Sequence, residues 1–144
     1  MNGTIPLNPL IPELLCSDFE ASLHFYRTVL GFKVLYRRKA EGFAMLERQG
    51  AQLMLDRNRP GNWVSARLRQ PYGRGLNLQI KTRSVRRLYA SLQKKKAKIF
   101  LPLEDAWYRA DKVFLGCRQF IVSDPDGYLL RFYEDLGVRE NVPH

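Results

Sequence analysis

The chain has little of most residues that announce a chemistry. Cys16 and Cys117 are its only cysteines, and they fit neither a CxxC nor a metal-ligand spacing. That excludes a disulfide framework, and two reduced thiols in a cytoplasmic setting are expected ahead of one bridge. Histidine is as scarce: His24 falls within an amphipathic segment and His144 is the last residue, so neither completes a ligand set. No apolar run approaches the roughly 20 residues of a membrane span, and Met1 to Asn8 lacks a charged segment followed by an apolar one. A cytoplasmic protein without a membrane partner is expected.

Acidic residues are missing from one long stretch. Arg57 to Lys98 holds 13 Lys and Arg residues and no Asp or Glu, which leaves 11 basic against 14 acidic residues elsewhere, a net of −3. The whole chain stands at +10. Such a stretch suits a surface for anions or nucleic acid, but a lysine-rich helix is more often a solvated face, so a nucleic-acid partner is not expected.

What is present is ordinary globular composition, with 45% hydrophobic and 26% charged residues in 144, enough for one domain with a proper core. Leu7 to Cys16 has strand-like bulk and runs into Ser17-Asp18, either of which can cap a helix. Phe19, Leu23, Tyr26 and Leu30 then recur at helical spacing up to Gly31. Three strands follow, Phe32 to Arg38, Phe43 to Arg48 and Ala51 to Arg57, divided at Glu41-Gly42 and Gln49-Gly50. Asn58 to Arg74 reads as a connection.

The order then repeats. Gly75 to Lys81 alternates as a strand, and Val85, Leu88, Tyr89 and Leu92 form a second helical stripe behind Ser84, the counterpart of Asp18 at an offset of 66. The same offset sets Ala97 against Gly31 and Asn77 against Ile11. Strands are expected near Lys98 to Leu103, Val113 to Ser123 and Tyr128 to Glu134, the last two joined by the turn sequence Asp124-Pro125-Asp126-Gly127. Gly127 answers Gly50 at an offset of 77. The difference implies an insertion of about 11 residues, expected as a loop around Glu104 to Lys112. The fold class is therefore α+β, with two βαβββ modules (about 7–57 and 75–135, linker 58–74) forming an open, cup-shaped sheet.

Two segments carry a resemblance: Ser17 to Tyr26 followed by Leu30-Gly31-Phe32, and Arg118-Gln119-Phe120 followed by Asp124 to Tyr128. Together they resemble the vicinal oxygen chelate superfamily of glyoxalases, extradiol dioxygenases, fosfomycin resistance enzymes and bleomycin resistance proteins. Trp107-Tyr108-Arg109 and Gly116 to Phe120 look most like the bleomycin resistance branch. The resemblance implies one metal-ligand position on the first and fourth strand of each module. Carried over, these are Ile11, Met54, Asn77 and Arg131, which offer no set of hard donors, so neither a metal nor another cofactor is expected. It also implies a homodimer.

Strand alternation puts Ile11, Glu13 and Leu15, Gln52, Met54 and Asp56, Asn77 and Gln79, and Leu129, Arg131 and Tyr133 on the cup face. Leu14, Cys16, Leu53, Leu55, Leu76, Leu78, Ile80, Leu130 and Phe132 face the helices. The ligand-binding candidates are Glu13, Asn77, Gln79, Trp107, Arg118, Arg131 and Tyr133, with Trp63, Tyr72 and Tyr108 as further loop aromatics. Glu13 and Arg131 either bind a partly polar organic ligand or neutralise each other. The expected function is metal-free binding of a small molecule, as in antibiotic or xenobiotic sequestration. The alternative is a metal-independent enzyme of lyase or isomerase type, with Glu13 as base and Arg131 stabilising an anion. Cationic bleomycin suits a sequestering cleft of opposite charge, which a basic chain does not advertise.

Overall fold

A computed structural model describes residues 4–141, and His144 lies outside them. The chain divides into two compact units between Tyr72 and Gly73. The first runs β1 (Glu13–Cys16), α1 (Phe19–His24), β2 (Lys33–Arg38), β3 (Phe43–Arg48) and β4 (Ala51–Arg57). The second runs β5 (Asn77–Lys81), α2 (Val85–Lys94), β6 (Ile99–Ala110), β7 (Val113–Ser123) and β8 (Leu129–Arg139). Each carries one four-stranded mixed sheet, ordered β1-β4-β3-β2 and β5-β8-β7-β6. The two units thus repeat one α+β design, with β1 parallel to β4 and β5 parallel to β8. No helix among the described residues is long and apolar enough to cross a membrane.

Side-chain period explains both sheets. In the first, Leu14, Cys16, Ala44, Leu46, Leu53 and Leu55 are all buried and share one face, onto which Phe19, Leu23, Tyr26 and Leu30 pack from the helical segment. In the second, Ile80, Phe120, Val122, Leu130 and Phe132 meet Val85, Leu88 and Leu92. Phe120 stacks on Phe132 with ring centroids 5.7 Å apart. Each sheet therefore has a helix-bearing face and an open face that no helix covers, although Leu15, Phe43, Met45 and Asp56 on that face of the first unit are buried.

Asp18 caps α1 by accepting from the Ala21 amide at 3.1 Å, and Ser84 caps α2 through the Arg87 amide. The helices then differ by one residue. In the first unit Phe25–Val29 widens into a π-helical turn, closed by the Phe32 amide donating to the Tyr26 carbonyl. In the second, the Ala97 amide reaches the Leu92 carbonyl in the ordinary way. The offset is therefore 66 at the caps and 65 at the ends. The left-handed residue matching Gly31 (φ 86°) is Lys96 (φ 57°), and not Ala97.

Three further expectations are corrected. The first strand begins at Glu13 rather than Leu7, because Pro6, Pro9 and Pro12 cannot donate to a ladder; the segment is tied instead by Asn8 to Gln52 and Gly50. Glu104 to Lys112 is no loop: the extra residues lengthen β6 and β7 into a hairpin that turns at Asp111-Lys112, with Asp111 left-handed at φ 59°. β8 accordingly runs on to Arg139 alongside β7. Leu76 precedes β5 and is exposed rather than turned to the helices.

Candidate functional site

On the open face of the first unit, β1 and β4 bring Glu13 and Leu15 beside Met54 and Asp56. The register with β3 and β2 adds Phe43, Met45, Tyr36 and Arg38. Asp56 is buried and held from the connection after β4, by Arg59 Nη1 at 3.1 Å and Asn62 Nδ2 at 3.0 Å. Burial, and then the negative charge of Asp56, push the Glu13 carboxyl above its ordinary value, against the pull of Arg38 and Arg59. Arg38 lies over the Phe43 ring, 3.8 Å from its centroid, and bonds Glu41 at 2.6 Å. The result is an acidic pair at one end of a wall of Met and aromatic side chains.

On the open face of the second unit, β5 and β8 align Asn77 with Leu129, Gln79 with Arg131 and Lys81 with Tyr133. Arg131 donates through Nη2 to Gln79 Oε1, while its Nε is buried without a hydrogen-bond partner. β7 places Ile121 opposite Arg131 and Gln119 opposite Tyr133. Gln119 is buried and donates to Tyr108 Oη at 2.6 Å and to Glu104 at 3.2 Å. Cys117 borders this floor; burial raises its thiol pKa, and Arg131 partly opposes that.

Of the residues singled out in the sequence, Asn77, Gln79, Arg131 and Tyr133 are therefore brought together on one face. Trp107 and Arg118 are not. Both are on strands of the hairpin, and their register puts them on the helix-bearing side. Arg118 is engaged in a two-point ion pair with Asp105, at 2.8 and 3.0 Å. The Trp107 ring lies against Gly116 of β7, where an added Cβ would meet it at 2.7 Å, and Arg139 stands 4.4 Å over the ring. Tyr108, one residue on, takes the open face instead. Glu13 belongs to the first unit, and Trp63 in the connection is fully exposed. Glu104, Tyr108 and Gln119 were missed as site residues; the signal was their alternate spacing with Arg131 once β6 is read as strand.

The family model described as the glyoxalase/bleomycin resistance protein/dioxygenase superfamily matches residues 9–132. The chain belongs to that superfamily. Comparison with curated proteins returns no match. Among solved structures, TioX from Micromonospora sp. ML1 is similar at 24% identity and a TM-score of 0.68, over 90% of this chain and 100% of its own. A protein of unknown function from Agrobacterium tumefaciens str. C58 is 24% identical, with a TM-score of 0.67, over 93% and 98%. A glyoxalase/bleomycin resistance protein/dioxygenase from Nocardioides is 23% identical, with a TM-score of 0.65, over 99% and 93%. These likenesses bear on fold.

Superfamily membership makes a metal the first group to test against the residues present. Ile11 and Met54 supply a hydrocarbon and a thioether, Asn77 one amide oxygen, and Arg131 a cation bonded to Gln79. A divalent ion wants carboxylate, imidazole or thiolate donors, so this set does not fit one. Among the described residues no three His, Cys, Asp or Glu side chains gather elsewhere.

Proposed function

We propose that this member of the superfamily binds a small, partly aromatic organic ligand carrying an acidic group, without a metal, as a cytoplasmic homodimer engaged in sequestration. The observation that carries the reading is Arg131. It occupies a position implied for a metal ligand, is steadied by Gln79, and keeps a buried Nε–H with no acceptor. A ligand oxyanion supplies that acceptor, and Arg presents a fork matched to it. Tyr133 and Tyr108 offer rings nearby, and Asn77 an amide. Three exposed apolar side chains, Tyr108, Leu115 and Val138, lie opposite one another across β6, β7 and β8, which supports the homodimer.

Thermal-shift titration with aromatic carboxylic acids and a panel of antibiotics, bleomycin included, tests this. At least one acid is expected to raise Tm in the native protein and not in Arg131→Ala, while zinc, manganese and nickel salts leave Tm unchanged. Equal shifts in both proteins, or a saturable metal response, would overturn it.

A metal-independent enzyme is the second reading, favoured by the raised pKa of Glu13, which suits a general base better than an ordinary carboxylate. If Glu13→Gln turned over every converted substrate at the native rate, Glu13 would not be the base.

A further inference from the structure

A groove of about 730 Å³ opens on the helix-bearing side of the first unit, away from the residues discussed so far. Its floor is apolar: Leu23 and Phe32 are buried, and Val34 is half-buried. Its rim is cationic, with Arg27 from the π-helical turn and Lys33 and Arg37 from β2. β2 is the outer strand of its sheet, so the groove runs along an uncovered edge.

Arg37 is the informative side chain. Its guanidinium carbon stands over the Phe19 ring, 5.7 Å from the centroid, and one Nη2 contact reaches Glu20 at 3.3 Å. Glu20 is 72% exposed, so that contact is weak and screened. The Arg37 Nε is buried and has no hydrogen-bond partner. A desolvated N–H without an acceptor is costly, of order 1–3 kcal/mol. Lys33 is engaged only at 3.4 Å with Glu47, and is itself 71% exposed. Three cations thus face one loosely held carboxylate on the groove's own rim.

The π-helical turn contributes to this arrangement. Its extra residue widens the backbone where Arg27, one of the groove's lining residues, leaves it. An unwidened helix, as α2 is, would present that position at a different angle.

We propose that this groove is a second ligand site, taking a small organic oxyanion on an apolar body. The oxyanion accepts from Arg37 Nε and Nη2, with Arg27 and Lys33 flanking it. The body lies on Leu23 and Val34. Burial of the apolar body is what separates this ligand from a bare anion, at roughly 25 cal/mol per Å² covered.

Titration with phenyl phosphate, followed by the arginine Nε–Hε signals in nitrogen-proton correlation spectra, tests the site. The Arg37 signal and the Leu23, Phe32 and Val34 amides are expected to shift saturably. Inorganic phosphate should bind about tenfold more weakly, a difference of about 1.4 kcal/mol. Arg37→Lys, which keeps the charge and loses the fork, and the exposed Arg27→Gln should each weaken binding by about tenfold or more. Arg131→Ala should remove any phenyl phosphate shifts on the open face of the second unit and leave those of Arg37, Leu23, Phe32 and Val34 untouched, so failure of the open-face reading and failure of this one are distinguishable. An unmoved Arg37 signal at millimolar phenyl phosphate would overturn the proposal. So would native affinity in both folded variants.

Discussion

Glu13 and Asp56 sit on adjacent parallel strands with one carboxylate buried and hydrogen-bonded and the other pushed toward its neutral form. A carboxyl whose folded pKa lies above its unfolded value binds its proton more tightly in the native state. Its contribution to stability is therefore full below the unfolded value and lost as pH rises through the folded one. Glu13→Gln removes that loss. The variant is expected to melt higher than the native protein at pH 7 and to lose the advantage near pH 4, as followed by calorimetry across pH. A second residue-scale outcome concerns Gly116. Alanine there would drive a Cβ to 2.7 Å from the Trp107 ring and 2.8 Å from Leu136 Cβ. Because neither can swing aside freely, Gly116→Ala should cost about 1–3 kcal/mol in urea denaturation.

Elements differ in how much of them the sequence declares. β3, β4 and β7 have the bounds that alternation and turn residues mark, Ser84 caps α2, and of the two candidates Ser17 and Asp18 it is Asp18 that caps α1. β1 falls short because bulk alone does not reveal which amides a ladder needs, and prolines withhold them. The hairpin was hidden because Glu104 to Lys112 has polar and aromatic residues that read equally as loop. That error carried into the site. Whether Trp107 and Arg118 join Arg131 depends on pairing register: Arg118 falls opposite Glu134 and Trp107 opposite Gly116, whereas Arg131 falls opposite Ile121, on the other face. No single strand's sequence contains that information. Arg118→Ala should therefore leave ligand affinity as it is and cost no more than about 1 kcal/mol of stability, since its ion pair is partly exposed. Arg131→Ala, on the opposite face, should abolish binding in the thermal-shift titration with aromatic carboxylic acids. Asp18→Ala, which removes the cap of α1, should lower stability by about 1 kcal/mol in chemical denaturation.

For the whole molecule, repetition was the most readable property, because a 66-residue offset in cap residues and apolar stripes needs no knowledge of register. Its small failure at Gly31 and Lys96 has a physical cause in the π-helical turn. The uneven charge is equally plain, and Arg86, Arg87, Lys94 and Lys96 stand exposed on or just beyond α2. The apolar row of Tyr108, Leu115 and Val138 was not foreseen, because it spans three strands. If it joins two copies, Leu115→Asp should turn a dimer into a monomer in sedimentation velocity while the fold is retained. A native protein that sediments as a monomer would refute the association.

Strand order has a bearing on synthesis. In each unit the last strand made, β4 or β8, is inserted between the first strand and the third. While the chain emerges from the ribosome, β1 has no neighbour until Met54 to Arg57 appear, and β5 none until Leu129 to Tyr133 do. Each unit thus closes only when its final strand arrives, and the first can close while the second is still being translated. A ribosome that stops before Leu129 releases a chain whose second sheet lacks an interior strand, leaving Phe120 and Ile80 with no partner on that side.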